Sequence, residues 1–386
     1  MSESRVLGNY LQILSGFPFP STDFTSERKG TPLIRIRDLL QQDPKTYFTG
    51  SFEDAFLVSQ GDLLIGMDGD FNAVKWQGPA ALLNQRVCKV TTKDPFILDQ
   101  DFLYHSLQPH LDRIHEGTAQ TTVKHLSTKD LYGIDAELPP LPEQKKIAEI
   151  LSGIDRSIQA RQSSILKTDD ILRSMKEDLM TRAEDWHESE LGELLAFRNG
   201  LNTEKENFGQ GVPFVAYKDV YSGGILTAKH LTQRVSLSAV EEERFLLKSG
   251  DILFTRTSET PDEIGFSCLF DDRYGGAVFN GFCIRGRPLE EGRINPVFAS
   301  FCLRSESVLS QMRFLCKYTT RAGISAESLS KVKVRIPDQG TQRRLADSLI
   351  AVKEYRQTQE ESVRSLQNIK KSVSSALLSG RKRVSV

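Results

Sequence analysis

The residues best suited to chemistry lie in a polar loop, GTAQTTVKHLSTKDL, which begins at Gly117. A helix is predicted before it over 102–114, and Ser127 or Thr128 is expected to cap a short helical turn after it. Short hydrogen-bonding side chains together with positive charge are typical of surfaces that hold phosphates and nucleotide base edges. The residues predicted to make such contacts here are Gln120, Thr121 and Lys124.

A second polar stretch, MDGDFNAVKWQG, covers 67–78 and carries aromatic and basic side chains. It is rich in glycine and follows an apolar run, so we expect an exposed loop. In such a loop Lys75 and Trp76 are suited to reading or stacking on bases, and we add Arg86 to this surface. The sequence fits equally well with a loop whose Trp76 folds back onto the core.

The second half of the chain repeats this arrangement with different side chains. GDILFTRTSETPDEIG follows a matching strand, and RFLCKYTTRAGIS is the counterpart of the threonine-rich loop. Basic residues cluster around that second loop, which indicates phosphate contact, although such a run is as often a solvated face. The residues predicted to contact nucleic acid here are Arg256, Thr257, Lys317, Thr320 and Arg321.

Two long helices are predicted to position these loops. After Pro142, apolar residues step by four and three, which is the narrow stripe of a coiled coil. A similar stripe lies near the C-terminus, and Arg161 and Gln359 interrupt the two stripes at equivalent positions, as a register-fixing polar layer would. One stripe alone fits packing on its own globular domain as well, but two matched stripes favour pairing. The residues assigned to the paired stripes are Ile147, Leu151, Ile154, Ile158, Arg161, Ile165, Leu172, Leu345, Leu349, Val352, Gln359, Val363, Leu366 and Val373.

An internal repeat relates the two halves of the chain. GTPLIRIRDL corresponds to GVPFVAYKDV, and FLVSQGDLLI corresponds to FLLKSGDILF. The offset grows from 181 residues at the first pair to 198 at the helices, so the second copy holds extra loop residues. We predict an α+β fold in which two similar globular domains alternate with two long helices that pair as an antiparallel coiled coil, in a pseudo-two-fold repeat. The predicted boundaries are 1–141 and 185–337 for the domains, and 142–184 and 338–380 for the helices.

Composition limits the class of protein. A chain of 386 residues allows two or three domains, and a net charge of −1 confines any nucleic-acid contact to local patches. The five cysteines show no CxxC spacing, as expected for reduced, mostly buried thiols of a cytoplasmic protein. The sequence shows neither a signal peptide nor an apolar run long enough to span a membrane.

No catalytic motif is found. The sequence lacks a GxGxxG, P-loop, GxSxG or HExxH motif and an NPPY-like tetrapeptide, and Pro261-Asp262 lacks the lysine of a nuclease motif. His105, His110 and His115 step by five, about 140° each around a helix, so they cannot share one metal; we interpret them as surface histidines. We therefore predict no catalytic residue, metal or cofactor on this chain.

The LPPLPEQ helix entry, the two GD[LI]L strand starts and the end-to-end repeat resemble the specificity subunit of Type I restriction-modification systems. The second entry, IPDQGTQ, departs from the family pattern, since Thr341 stands where the first copy has Glu143, but Gln342 is kept. The resemblance covers essentially the whole chain. It implies two target recognition domains, each reading one half of a bipartite double-stranded DNA target, held by helices that also dock partner subunits.

The implied partners are DNA methyltransferase subunits and restriction/translocase subunits in the cytoplasm, with no membrane. S-adenosylmethionine, ATP and magnesium are expected on those partners only. Two rival classes remain: a stand-alone methyltransferase or nuclease, which would turn over DNA as the purified chain, and a coiled-coil protein–protein adaptor without sequence-specific DNA binding. The adaptor does not explain two divergent copies of a loop-bearing domain.

Overall fold

The computed structural model describes residues 3–118, 123–181, 186–272 and 276–385. It divides into two compact units, of which the first comprises Met1–Gln162 and Glu361–Val386, and the second comprises Ser163–Glu360. Each unit therefore combines one globular part with part of each long helix. Within the described residues no helix combines the length and the apolarity needed to cross a bilayer.

The globular part of the first unit is built on short strands and two helices. The strands are β1 (Glu3–Val6), β2 (Leu11–Ser15), β3 (Phe24–Thr25), β4 (Thr31–Ile34), β5 (Thr46–Phe48), β6 (Leu57–Val58), β7 (Leu63–Gly66), β8 (Ala73–Lys75), β9 (Ala81–Leu83), β10 (Val87–Thr92) and β11 (Asp135–Leu138). The helices are α1 (Gln100–Gly117) and α2 (Thr128–Tyr132). Strand β1 pairs with β11, and the other sheets have the orders β2-β10-β7-β8 and β3-β5-β4-β9-β6.

Helix α3 (Leu141–Thr181) leads into the second unit, whose globular part repeats much of this plan. Its strands are β12 (His187–Glu190), β13 (Leu195–Asn199), β14 (Phe208–Val215), β15 (Ile225–Leu226), β16 (Gln233–Val235), β17 (Asp251–Thr255), β18 (Thr257–Ser258), β19 (Ser267–Phe270), β20 (Val278–Phe279), β21 (Cys283–Pro288), β22 (Lys317–Tyr318), β23 (Ala322–Gly323) and β24 (Lys333–Ile336). Its helices are α4 (Leu191–Leu194), α5 (Tyr217–Ser222), α6 (Ala239–Phe245), α7 (Pro296–Cys302), α8 (Glu306–Leu315), α9 (Ala326–Ser330) and α10 (Gln339–Leu378).

The sheets of the second unit follow the order of those in the first. Strand β12 pairs with β24, as β1 pairs with β11, and the sheet β13-β21-β17-β19-β15 begins with the counterparts of β2-β10-β7-β8. Parallel pairing of β14 with β20 matches that of β4 with β9. The sheet β18-β23-β22 has no counterpart among the described strands of the first unit.

The turns that directly precede β7 and β17 have the same construction. Gly61 and Gly250 adopt positive φ values of 97° and 94°, which glycine tolerates without steric cost. The carboxylates of Asp62 and Asp251 then accept backbone hydrogen bonds from the residues three positions earlier, each at 2.8 Å. The Gly-Asp pairs in the two halves of the sequence are therefore equivalent structural turns.

Two buried glutamines attach the long helices to the globular parts. The side chain of Gln144 accepts from the backbone N–H of Asp99 and donates to the carbonyls of Ile97 and Pro139, all at 2.9 Å. Gln342 accepts from the N–H of Asn295 at 2.7 Å and donates to the carbonyl of Pro337 at 3.0 Å. Since Asp99 and Asn295 are the N-caps of α1 and α7, each glutamine joins a long helix to a domain helix.

Within the first unit, the early part of α3 packs beside the late part of α10. Ile147 and Leu151 belong to the main core, and Val373 and Leu377 pack against it. Lys370 pairs with Asp155 at 2.5 Å, and Arg383 pairs with Glu143 at 3.2 Å.

Within the second unit, the two helices are joined by the pair of Arg356 with Asp169 at 2.6 Å. Ala346 packs with Phe298 and Cys302 of α7 in a small apolar cluster, against which Leu345 and Trp186 lie.

The predicted helix stripes differ in burial. Ile147, Leu151, Leu349, Gln359 and Val363 are buried. The stripe residues that are half-buried are Ile154, Ile158, Ile165, Leu172, Leu345, Val352, Leu366 and Val373. Arg161 is exposed, whereas Gln359 is 4% exposed, so the two polar residues that interrupt the stripes differ in burial. A guanidinium on a long stem reaches solvent from a position where an amide stays inside.

Candidate nucleic-acid interface

Three chain segments meet at one point of the first unit. The backbone N–H of Met67, directly after β7, donates to the carbonyl of Arg86 at 2.8 Å. The carbonyl of Met67 accepts from the N–H of Leu126 at 2.8 Å. We call this point, where Met67 joins Arg86 and Leu126, the first junction. It brings the turn between β9 and β10 next to the later part of the threonine-rich loop.

Polar side chains cluster on the first junction. Asp68 accepts a hydrogen bond from Nδ1 of His125 at 2.6 Å and lies 3.4 Å from Nε of Arg86. Arg86 is exposed and has a φ of 75°, a left-handed backbone conformation that side chains rarely adopt. The predicted residue Arg86 therefore stands on the surface with a carboxylate and an imidazole beside it.

The other residues predicted in the first unit are placed differently. Lys124 is half-buried and donates to the carbonyl of His115 at the end of α1. Lys75 lies at the end of β8 and pairs with Asp101 at 2.6 Å. Gln120 and Thr121 lie outside the described residues.

Trp76 does not lie on the surface. Its side chain is 0% exposed in a core cluster, and its Nε1 donates to the carbonyl of Pro79 at 2.9 Å. The expected exposed loop is instead an arm of the hairpin β7–β8, in which Val74 and Trp76 point inwards. This corrects the prediction that Trp76 contacts bases, because an indole without exposed surface has no face on which a base can stack. The core alternative is the one that the structure supports.

His105 also differs from expectation, since it is buried rather than on the surface. It lies on α1 against α3, with Nε2 2.9 Å from the hydroxyl of Ser152. Desolvation lowers the pKa of His105 to about 4, so the imidazole is neutral at pH 7.

A second junction occurs at the equivalent place of the second unit. The N–H of Arg256 donates to the carbonyl of Phe282 at 2.8 Å, and the carbonyl of Arg256 accepts from the N–H of Ile324 at 2.9 Å. Arg256 therefore takes the position of Met67, and Phe282 takes that of Arg86. Here the sheet β18-β23-β22 extends the junction.

The structure brings the residues predicted in the second unit together around this junction. Thr257 and Lys317 both pair across β23 with Gly323. Arg256 is half-buried, and its guanidinium donates to the carbonyl of Gly281 at 3.2 Å. Thr320 and Arg321 are exposed in the turn that joins β22 to β23. The predicted residues thus lie on or beside the strands of the sheet β18-β23-β22.

A shallow cleft of about 190 Å³ opens beside Arg321 and Thr257. Its other lining residues are Tyr217, Ser258, Glu259, Glu263 and Phe282. Burial raises the pKa of Tyr217, so its phenol stays protonated at neutral pH. The cleft therefore offers both hydrogen-bond donors and acceptors beside an aromatic ring.

Sequence reasoning missed several residues of these surfaces. Phe282 and Tyr318 are exposed aromatic side chains next to the predicted basic residues. Asp68 and Glu259 lie beside Arg86 and Arg321. An aromatic residue beside a polar turn, as in NGFC and KYTT, could have indicated these two side chains, whereas no neighbouring residue in the sequence indicates Asp68 or Glu259. In the part of the chain that the structure describes, no group of three His, Cys, Asp or Glu side chains is arranged to hold a metal ion.

Comparison with known proteins gives the family. The family model described as Type I restriction modification DNA specificity domain matches residues 7–167 and again residues 183–368. Because these two matches together span most of the chain, the chain belongs to this family. The family model thus matches each half of the chain once.

Individual relatives agree with this assignment. The Type I restriction enzyme EcoBI specificity subunit of Escherichia coli is 30% identical over 274 residues, which are 63% of this chain and 57% of that subunit. The MjaVIII specificity subunit of Methanocaldococcus jannaschii is 22% identical over 98% of this chain and 92% of its own length. The crystal structure of a Type-I restriction-modification system S subunit from M. genitalium has a TM-score of 0.61 at 16% identity, with 98% and 96% of the two chains covered, and it supports the mixed α/β fold.

Proposed function

We propose that this chain is the non-catalytic DNA specificity subunit of a Type I restriction-modification complex, in which each globular part reads one half of a bipartite target. The observation that carries the proposal is the pair of junctions. Met67 and Arg256 hold equivalent backbone positions, yet they are surrounded by different side chains. One scaffold with two sets of exposed side chains is suited to two different half-sites.

The residues proposed to contact DNA are those that the structure leaves accessible at the junctions. They are Arg86 in the first unit, and Thr257, Lys317, Thr320 and Arg321 in the second, with Gln120, Thr121 and Lys124 retained from the sequence and Lys75 and Arg256 as flanking cations. Phosphate contacts fix register, while base-edge contacts carry specificity. The target recognition domains are assigned to 1–141 and 185–337.

The long helices are proposed to pair as an antiparallel coiled coil in a pseudo-two-fold repeat. Along α3 the charged residues Asp155 and Asp169 follow each other, while their partners Lys370 and Arg356 follow in reverse order along α10. Paired residues whose numbers rise along one helix and fall along the other are expected of antiparallel helices. The helical segments assigned to this role are 142–184 and 338–380.

The helices are further proposed to dock methyltransferase and restriction/translocase subunits in the cytoplasm. Adenine methylation and cleavage, with S-adenosylmethionine, ATP and magnesium, are assigned to those partners. The adaptor alternative is not favoured, because the chain belongs to a DNA specificity family in both halves.

The test is a map of adenine methylation in cells that express the methyltransferase subunit of this system with or without this chain. We expect a split motif that is methylated only when the chain is present. The purified chain incubated with DNA and either S-adenosylmethionine or magnesium should show no turnover. Methylation that is the same without the chain, with an active methyltransferase present, would overturn the proposal.

A further inference from the structure

An arginine and a carboxylate stand together on the surface of the second junction. One guanidinium nitrogen of Arg321 lies 3.1 Å from Oε1 of Glu259, and the two side chains are 61% and 76% exposed. Both residues line the cleft of about 190 Å³ beside Phe282. The pair therefore presents donors and an acceptor side by side at the edge of an opening.

The first junction holds a similar pair made from different parts of the chain. Arg86 comes from the turn between β9 and β10, and its Nε lies 3.4 Å from Oδ2 of Asp68. In the second unit the arginine comes instead from the turn between β22 and β23. Two unrelated positions thus supply the same pair of groups beside equivalent backbone junctions.

This pair matches the edge of a G·C base pair better than a phosphate. Guanine presents two acceptors, N7 and O6, to the major groove, and cytosine presents the N4 amino donor. An arginine fork satisfies the guanine, and a carboxylate accepts from the cytosine. A phosphate would be repelled by the carboxylate, which also offsets the charge of the guanidinium. Both groups of the Arg321–Glu259 pair are exposed, so this pair contributes little to stability and its groups can turn to a base edge readily.

The backbone of Arg86 supports the same conclusion. Its φ of 75° is a conformation that a side-chain-bearing residue adopts at a steric cost. Backbone strain of this kind clusters at functional sites. In the second unit the corresponding residue, Phe282, has no positive φ.

We propose, resting on the DNA-specificity function above, that each unit reads one G·C base pair with an arginine–carboxylate pair. In the first unit the pair is Arg86 with Asp68, and in the second it is Arg321 with Glu259. The arginine binds the guanine, and the carboxylate accepts from the amino group of the paired cytosine.

The experiment compares methylation motifs in cells that express the methyltransferase subunit with the full-length chain or its variants. Arg321→Gln should lower the preference for G·C at one position by about 5- to 150-fold and leave the other half-site unchanged. Glu259→Ala should relax that same position to a smaller extent. Arg86→Gln should relax one position of the opposite half-site, so a folding failure in one unit leaves the other testable.

Lys317→Gln is the matched control, since it also replaces a positively charged side chain of the same exposed surface with glutamine. It should reduce methylation evenly across bases, as loss of a phosphate contact does. The inference is overturned if Arg321→Gln also acts evenly, or if Arg321 and Glu259 affect different positions. A wild-type chain that gives no split motif would instead overturn the proposed function itself.

Discussion

Lys370 holds the carboxylate of Asp155, with Nζ 2.5 Å from Oδ1, and so joins α10 to α3 within the first unit. Both side chains are about two-thirds buried, at 32% and 31% exposure. Nδ1 of His105, on α1, lies 3.9 Å from the other carboxylate oxygen. The carboxylate of Asp155, on α3, therefore faces both α10 and helix α1 of the globular part.

Replacing Lys370 with alanine should destabilise the protein, because Asp155 would keep a partly buried negative charge without its cation. We expect the free energy of unfolding to fall by roughly 1–3 kcal/mol, as measured by chemical denaturation. Lys371→Ala, at the neighbouring exposed position, should change it by less than about 0.5 kcal/mol. Equal effects of the two substitutions would show that the ion pair adds nothing.

His105 should make the protein sensitive to acid. Its pKa is lowered by burial from 6.5 to about 4, so the unfolded chain takes up a proton at a higher pH than the folded one. Its contribution is therefore fully present above pH 6.5 and is lost as the pH falls from 6.5 towards 4. Unfolding curves at pH 7 and pH 5 should show roughly 2 kcal/mol less acid destabilisation in His105→Gln than in the wild type.

The control for this measurement is His187→Gln, the same substitution at an exposed position of the second unit. His110, whose pKa burial also lowers to about 4, is retained in both variants and contributes equally. A His105→Gln protein that loses as much stability as the wild type between pH 7 and pH 5 would contradict the assignment.

Replacing Gln144 is expected to lower the free energy of unfolding more than replacing most other polar residues. Its amide satisfies the backbone groups of Ile97, Asp99 and Pro139, all near the base of α3. Gln144→Ala leaves these groups unpaired, and we expect a loss of about 2–4 kcal/mol in unfolding free energy. Lys145→Ala, on the exposed side of the same turn, is the control and should have little effect. The same comparison applies to Gln342→Ala and Arg343→Ala.

Much of the fold could be predicted because its signals are local. The long helices, predicted over 142–184 and 338–380, are present as Leu141–Thr181 and Gln339–Leu378. The prolines just before the helix start and the apolar residues spaced alternately by four and three predict such helices directly. Val74 and Trp76 are two positions apart, which was an equally local sign of a strand with both on one face, but the polar residues around them favoured a loop.

The surfaces around the junctions could be predicted only in part, because their partners come from distant segments. Arg86 meets Asp68 only where three chain segments join, and no spacing in the sequence encodes that contact. Between Arg313 and Arg335 the sequence offers only Glu327 against the basic residues, yet Glu188, far away in the sequence, lies near both Lys333 and Arg335. Burial and long-range pairing decided which charges remain available.

Thiol reactivity should single out one of the five cysteines. Burial raises the pKa of Cys88, Cys283 and Cys302 to about 12 and also raises that of Cys268, whereas Cys316 is half-buried. Because the thiolate is the reactive form, iodoacetamide at pH 8 should label Cys316 first, as read by mass spectrometry. Cys316→Ser should abolish the rapid label, and denaturant should expose all remaining thiols. Rapid labelling of Cys268 in the native protein would contradict the described burial.

Helix length should set the gap between the two half-sites if the long helices act as the proposed spacer. One heptad inserted after Gln162 in α3, with another after Glu360 in α10, keeps the apolar stripes in step. Seven residues add about 10 Å of helix, or roughly three base pairs of DNA. Methylation mapping should therefore show unchanged half-sites separated by about three more base pairs.

An insertion in α3 alone shifts the stripes out of register and should abolish methylation. A changed half-site with the original gap would contradict the spacer role, because it would mean that the helices influence base reading rather than distance.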